Sequence, residues 1–175
     1  RPGRDCSILF TQSGKASAPG TLPGQISTLC HSPDGKLLAA GSYERRAAVF
    51  SVIDGSMTCS LFGHYGGVTQ VSFSPDGSLL ATGARKDNSI FCWDIRKPEK
   101  PVHEFTRVVS KNQMISFEFG ITGNSLVSGS TDGSIRVYSL KSGSLIREVS
   151  GLHGDAVNGI GIHPALPLIA TTTGK

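Results

Sequence analysis

The sequence is short of charge: Asp, Glu, Lys and Arg make up 17% of its 175 residues, where about a quarter is usual for soluble domains. It has one Trp and two Met. No apolar run approaches the length of a membrane-spanning helix, and no signal-peptide pattern opens the chain, so no membrane partner is expected. No stretch of any length keeps a 3.6-residue period, which excludes a helical bundle. The cysteines, Cys6, Cys30, Cys59 and Cys92, are widely spaced with no C-x-x-C pair. That spacing gives no zinc or redox motif and points to free, mostly buried thiols in a reducing compartment.

Catalytic signatures are missing as well. There is no G-x-S-x-G elbow, and the Gly35-Lys36 and Gly174-Lys175 pairs lack both the spacing and the following hydroxyl of a phosphate-binding loop. The histidines, His31, His64, His103, His153 and His163, form no H-x-x-x-H pair. The reading is a non-enzyme with no cofactor and no metal.

What is abundant is turn-forming residue. Gly 22 and Pro 9 indicate many short elements joined by tight turns, the habit of an all-β chain. The net charge of +4 and a pI near 9.0 permit an anionic partner without requiring one. The sequence starts without Met and stops at "ATTTGK" after an apolar run, and a fragment of a longer protein is expected.

Self-comparison is the most productive step. "ISTLCHSPDGKLLAAGS" (26–42) returns as "VTQVSFSPDGSLLATGA" (68–84), as "MISFEFGITGNSLVSGS" (114–130), and more weakly as "VNGIGIHPALPLIATTT" (157–173). Measured at His31, Phe73, Phe119 and Ile162, the periods are 42, 46 and 43 residues. Within a unit, an alternating strand leads to an S-P-D-G type turn, in which Asp34 or Asp76 caps nearby amides. A second apolar strand and a Gly/Asp turn follow, then a third strand ending Phe50-Ser51, Trp93-Asp94 or Tyr138-Ser139, then a fourth.

Four short antiparallel strands per unit, with G-H and W-D landmarks, resemble the WD40 repeats that build β-propellers. The fold expected is all-β: a WD40 β-propeller with about three complete four-stranded blades plus part of a fourth, left incomplete. The units run approximately over 26–63, 68–107, 114–150 and 157–175, all within one propeller domain, 1–175. In such blades a His, a turn Asp and a strand Trp join through hydrogen bonds, and the resemblance assigns those parts to His64, Asp87 and Trp93. Asp132 with Tyr138 would serve the third blade, which offers no His, and His153 holds the matching place before the fourth. The first blade has Glu44 and Phe50, and "SGKASAPGTLPGQ" where G-H would stand.

The basic residues fall in pairs: Arg45-Arg46 and Arg85-Lys86 in equivalent turns of the first two units, and Arg96-Lys97 after a third strand, with Arg1, Arg4, Arg107 and Lys111 adding to the total. Gly83 to Trp93 takes ten residue steps, whereas Gly41 to Phe50 and Gly129 to Tyr138 take nine, so Arg85 and Lys86 occupy a lengthened turn. Equivalent turns of adjacent blades line one face. Two readings stand: solvated turns in which Lys and Arg are cheap, or a rim that binds phosphate, with Tyr43 and Tyr65 placed to stack on unpaired bases.

"RPGRDC", the "GGV" that follows Gly63-His64, "GARKD…CWDIR" and "LVSGSTDG" together resemble the telomerase Cajal body protein family. "SYERRAAVF" and the 13–25 loop match that family only loosely. The resemblance implies a non-enzymatic nuclear scaffold, resident in Cajal bodies, that binds the Cajal body box of small Cajal-body RNAs and of telomerase RNA. It further implies association with dyskerin-containing H/ACA ribonucleoproteins, and folding of the propeller with help from the cytosolic chaperonin. Arg85 and Lys86, extended by Arg45 and Arg46, are then the candidate RNA contacts. The alternative is a WD40 adaptor whose basic rim takes an acidic or phosphorylated peptide.

Overall fold

A computed structural model describes residues 20–110 and 112–174. Arg1, Arg4, Cys6, Lys111 and the "RPGRDC" string lie outside the described residues, as does the first part of the 13–25 loop. Period-two alternation interrupted by turn residues yields fourteen strands and no helix among the described residues. They form three four-stranded antiparallel sheets, each in simple meander order, and a two-stranded one. The first sheet holds β1 (Ile26–His31), β2 (Leu37–Ser42), β3 (Arg46–Ser51) and β4 (Met57–Phe62). The second holds β5 (Val68–Phe73), β6 (Leu79–Ala84), β7 (Ser89–Asp94) and β8 (His103–Thr106). The third holds β9 (Phe117–Phe119), β10 (Ser125–Gly129), β11 (Ile135–Ser139) and β12 (Leu145–Val149), and the last pairs β13 (Val157–Ile162) with β14 (Ile169–Thr173). This is the expected all-β propeller, incomplete and unclosed.

The second and third blades are apolar on both faces, so each of them stacks on two neighbours. On the second sheet, Val71, Phe73, Leu80, Phe91 and Trp93 pack against Ala39, Ala47, Val49 and Leu61 of the first. The alternate residues Ala81, Ile90, Cys92 and Phe105 pack against Phe117, Phe119, Leu126 and Tyr138 of the third. Strand alternation thus serves two interfaces at once. Burying a Leu80 or a Phe117, both essentially inaccessible, contributes roughly 1.5–3 kcal/mol each. At the far end the pattern stops: Leu166, Leu168 and Ile169 are exposed beside β14, where they line an open cavity of about 330 Å³ with Val127 and Val137.

Polar side chains stitch the first strands of successive sheets together. The Gln70 amide on β5 donates to the carbonyl of Phe117 on β9 at 2.7 Å and accepts the Phe117 N–H at 3.0 Å. Ser27 on β1 donates to the Val68 carbonyl. Ser116 accepts from Ile160 N–H at 2.9 Å, and Glu118 accepts from Ile162 N–H at 2.7 Å. The S-P-D-G turns form as their composition demands. Asp34 accepts from Lys36 N–H at 3.1 Å and Ser32 at 2.7 Å, and Asp76 accepts from Ser78 N–H at 3.1 Å and Ser74 at 2.6 Å. Replacing Gln70 by Leu leaves both Phe117 backbone groups without a partner. In the intact protein this is expected to lower unfolding free energy by about 1–3 kcal/mol, read from the denaturant midpoint.

Candidate functional site

The lengthened turn between β6 and β7 is built on a buried hydrogen-bond chain. Trp93 Nε1 donates to Thr82 Oγ1 at 2.9 Å. Thr82 Oγ1, with one hydrogen to give and a second lone pair, also bonds His64 Nε2 at 2.8 Å. His64 Nδ1–H then donates to Asp87 Oδ2 at 2.7 Å. Asp87 also accepts from Tyr65 N–H at 3.0 Å and from Ser89 N–H at 2.9 Å. Burial pushes the Asp87 carboxyl up, but hydrogen bonds from His64 and from the Ser89 and Tyr65 amides outweigh it and hold the group below its ordinary value. Thr82 is the member that pattern reading missed. Its signal was present, a hydroxyl on the second strand eleven residues before Trp93, but β-branched residues are ordinary strand formers.

The other blades close the same junction by different means. Asp132 and Tyr138, paired in expectation, belong to separate networks. Asp132 accepts from Arg136 at 2.8 Å and from Ser134 at 2.5 Å, while the Tyr138 hydroxyl donates to the Thr106 carbonyl at 2.6 Å. Where the third blade lacks a His, the buried Arg107 takes over. It donates to the Ile115 carbonyl at 2.7 Å and reaches Ser128, the counterpart of Thr82, at 3.3 Å. Arg107 is 1% exposed, so its reading as part of a basic surface is corrected: it is buried with the Phe117 ring 5.9 Å from its guanidinium carbon. Burial pushes its guanidinium down to about 10. In the fourth sheet His153 Nε2 lies 2.9 Å from Thr171 Oγ1, the same pairing as His64 with Thr82. In the first, Ser42 donates to the Pro23 carbonyl at 2.5 Å and accepts from Glu44 N–H at 3.1 Å, and Phe50 is buried.

The basic turns meet across the junction of the first two sheets. The Arg85 guanidinium carbon sits 4.1 Å from the centre of the Tyr43 ring, an amphipathic stack joining the two second turns. Arg85 N–H donates to the Gly67 carbonyl at 3.1 Å, and Tyr43 N–H to the Gln25 carbonyl at 3.0 Å. Gly66 and Gly67 make this approach possible: a Cβ at Gly66 would overlap the Arg85 carbonyl oxygen, and one at Gly67 would come 2.8 Å from the Tyr43 ring. Tyr65, held by Asp87 through its amide, is 80% exposed, and Lys86 is exposed too. Arg46 departs from this group. It opens β3 opposite Phe62 and lays its guanidinium carbon 4.9 Å from that ring's centre, toward the outer strand.

Two of the basic residues adopt the left-handed conformation that disfavours side chains, Arg45 with φ 62° and Lys86 with φ 55°. The position of Arg45 is taken in the third blade by Gly133, φ 80°. The register shows the insertion directly. Five residues separate the partners Gly41 and Ala47, and Gly129 and Ile135, whereas six separate Gly83 and Ile90. Asn88, in the same turn, braces the next connection by accepting from Arg107 N–H and Val109 N–H at 2.8 Å each. Among the described residues no cluster of His, Cys, Asp or Glu is arranged to hold a metal.

The WD domain, G-beta repeat family model matches residues 17–51, 55–94 and 100–139. The chain belongs to the WD40 repeat family. Over its whole length it is also similar to telomerase Cajal body protein 1 of Homo sapiens, 40% identical over 180 residues, and of Bos taurus, 38% identical over 180 residues. The telomerase Cajal body protein 1 homolog of Drosophila melanogaster is 39% identical over 119 residues, covering 66% of the chain and 22% of that protein. The resemblance drawn from "GARKD…CWDIR" is thereby borne out. The WD40 chain spans about a third of the length of the mammalian relatives it matches, 32% and 33%.

Two expectations follow. Thr82→Val and Asp87→Asn should each lower stability by about 1–3 kcal/mol. The Asp87 carboxyl is held below its ordinary 3.8, so its contribution is present above that value and lost as pH falls through it. The stability gap between wild type and Asp87→Asn, followed by urea titration at a series of pH values, should shrink below about pH 4. Lys86→Gly relieves a left-handed side chain and should leave stability unchanged or raise it by up to about 1 kcal/mol, as a thermal scan would show.

Proposed function

We propose that the chain is the RNA-contacting part of a non-enzymatic WD40 scaffold that binds a single-stranded RNA loop. The observation that carries this reading is the Arg85–Tyr43 stack at the junction of the first two sheets, with Lys86 and Tyr65 exposed around it. Unpaired RNA is read by aromatic and guanidinium stacking combined with phosphate contacts, and these are the side chains that such reading uses. Two basic residues kept at left-handed turn positions, where glycine costs less, support the same reading. So do the names of the relatives: telomerase Cajal body protein 1.

On this reading the partners are Cajal body box RNAs, namely small Cajal-body RNAs and telomerase RNA, within dyskerin-containing H/ACA ribonucleoproteins. The location is the nucleus, in Cajal bodies, and the intact propeller reaches its fold through the cytosolic chaperonin. Lys86 and Arg45 supply phosphate contacts. Arg46, turned to the outer strand, extends the positive field without reaching the centre of the patch.

The test uses the full-length protein and a hairpin RNA with the Cajal body box in its loop. Arg85→Glu with Lys86→Glu should weaken binding at least tenfold and lower the slope of log affinity against log salt by about 1–2. The thermal midpoint should stay nearly where it was. Undiminished RNA binding by the double variant sinks the patch. Recovery of acidic or phosphorylated peptides, with no RNA above background after crosslinking, favours the adaptor reading instead.

A further inference from the structure

Among the described residues no carboxylate lies within ion-pair distance of the Arg85 guanidinium, and no side-chain hydrogen bond holds it. It is nevertheless half-buried and positioned. Its guanidinium carbon lies over the Tyr43 ring, 4.1 Å from the ring centre, the Arg85 backbone is tied to Gly67, and Gly66 and Gly67 close in flush against both residues. A guanidinium meant only to supply charge needs none of this; a flexible ammonium does that work, and Lys86 next door is one. What the arrangement adds is a planar group backed by an aromatic ring.

We infer that Arg85 is a stacking platform: its outer face receives one unpaired RNA base, making a Tyr43–Arg85–base stack, while its edge N–H groups stay available to the adjoining phosphate. Tyr65, exposed and anchored through Asp87, takes the neighbouring base. This rests on the RNA-binding reading above and refines it, because it assigns base contact to Arg85 and phosphate contact to Lys86. Recognition then depends on a base being present at one nucleotide and on the planarity of residue 85, not on its charge alone. Tyr43 acts as a positioning residue, holding the guanidinium plane parallel to the incoming base.

The charge-preserving variant Arg85→Lys in the full-length protein separates the two roles. With the same box-bearing hairpin, binding should weaken roughly tenfold, the loss expected for one stacked base, while the salt slope and thermal midpoint stay as in wild type. An abasic substitution scanned through the loop should reveal one nucleotide whose removal costs wild type about the same and costs Arg85→Lys nothing further. Tyr43→Leu, which keeps Arg85 but removes its backing, should show part of the same loss. If Arg85→Lys binds as wild type does, or if its loss adds to that of every abasic position, the stack is overturned while RNA binding stands. If wild type fails to bind the hairpin above a scrambled-loop control, both readings fall.

Discussion

The candidate face rests on a chain of hydrogen bonds that runs from a donor-only indole to an acceptor-only carboxylate. Trp93 donates to Thr82, Thr82 bonds one nitrogen of His64, and the other nitrogen of His64 bonds Asp87, whose carboxylate can only accept. Asp87 then spends its remaining acceptor capacity on the amides of Tyr65 and Ser89. One carboxylate thereby joins the connection between sheets to the turn within a sheet. Tyr65, Gly66 and Gly67 hang from one end of that link, and Arg85 and Lys86 from the other.

The remaining junctions show that the requirement is for a tie, not for a particular residue. A buried guanidinium serves where Arg107 meets Ser128, a backbone carbonyl where Ser42 meets Pro23, and an imidazole again where His153 meets Thr171. The Arg107 solution is the costly one. Its Nε and Nη2 have no hydrogen-bond partner, and Phe117 offers a ring 5.9 Å from its guanidinium carbon as partial compensation. The His64 junction, by contrast, leaves no member without a partner, and it is the one that carries the basic turn.

Much of the architecture was legible because repetition amplifies weak local signals: an S-P-D-G turn or a terminal aromatic means little once and a great deal at 42 to 46 residue intervals. His64, Asp87 and Trp93 were legible through the WD40 resemblance, which assigns them to one network. Thr82 was not, since a strand Thr has an ordinary reading in every blade. Arg107 was misread because composition counts an arginine as surface, and nothing local announces that the place left by a missing histidine will bury it. Whether Arg46 points to the turn or to the outer strand was beyond pattern reading too. One step of register decides it, and the Phe62 ring opposite supplies the attraction.

The sixth residue between Gly83 and Ile90 lies wholly outside the ladder: β6 and β7 pair without a register shift on either side of it. The sheet absorbs no part of the added length, and the left-handed Lys86 takes up the turn. The added length of this rim is therefore kept out of the strand ladder, while Asp87 and Asn88 tie the turn to what lies beneath and beside it. At Arg85 and Lys86, outside those ties, side chains can be exchanged at a cost confined to the turn itself, so this edge of the molecule can change what it touches without the fold having to change with it.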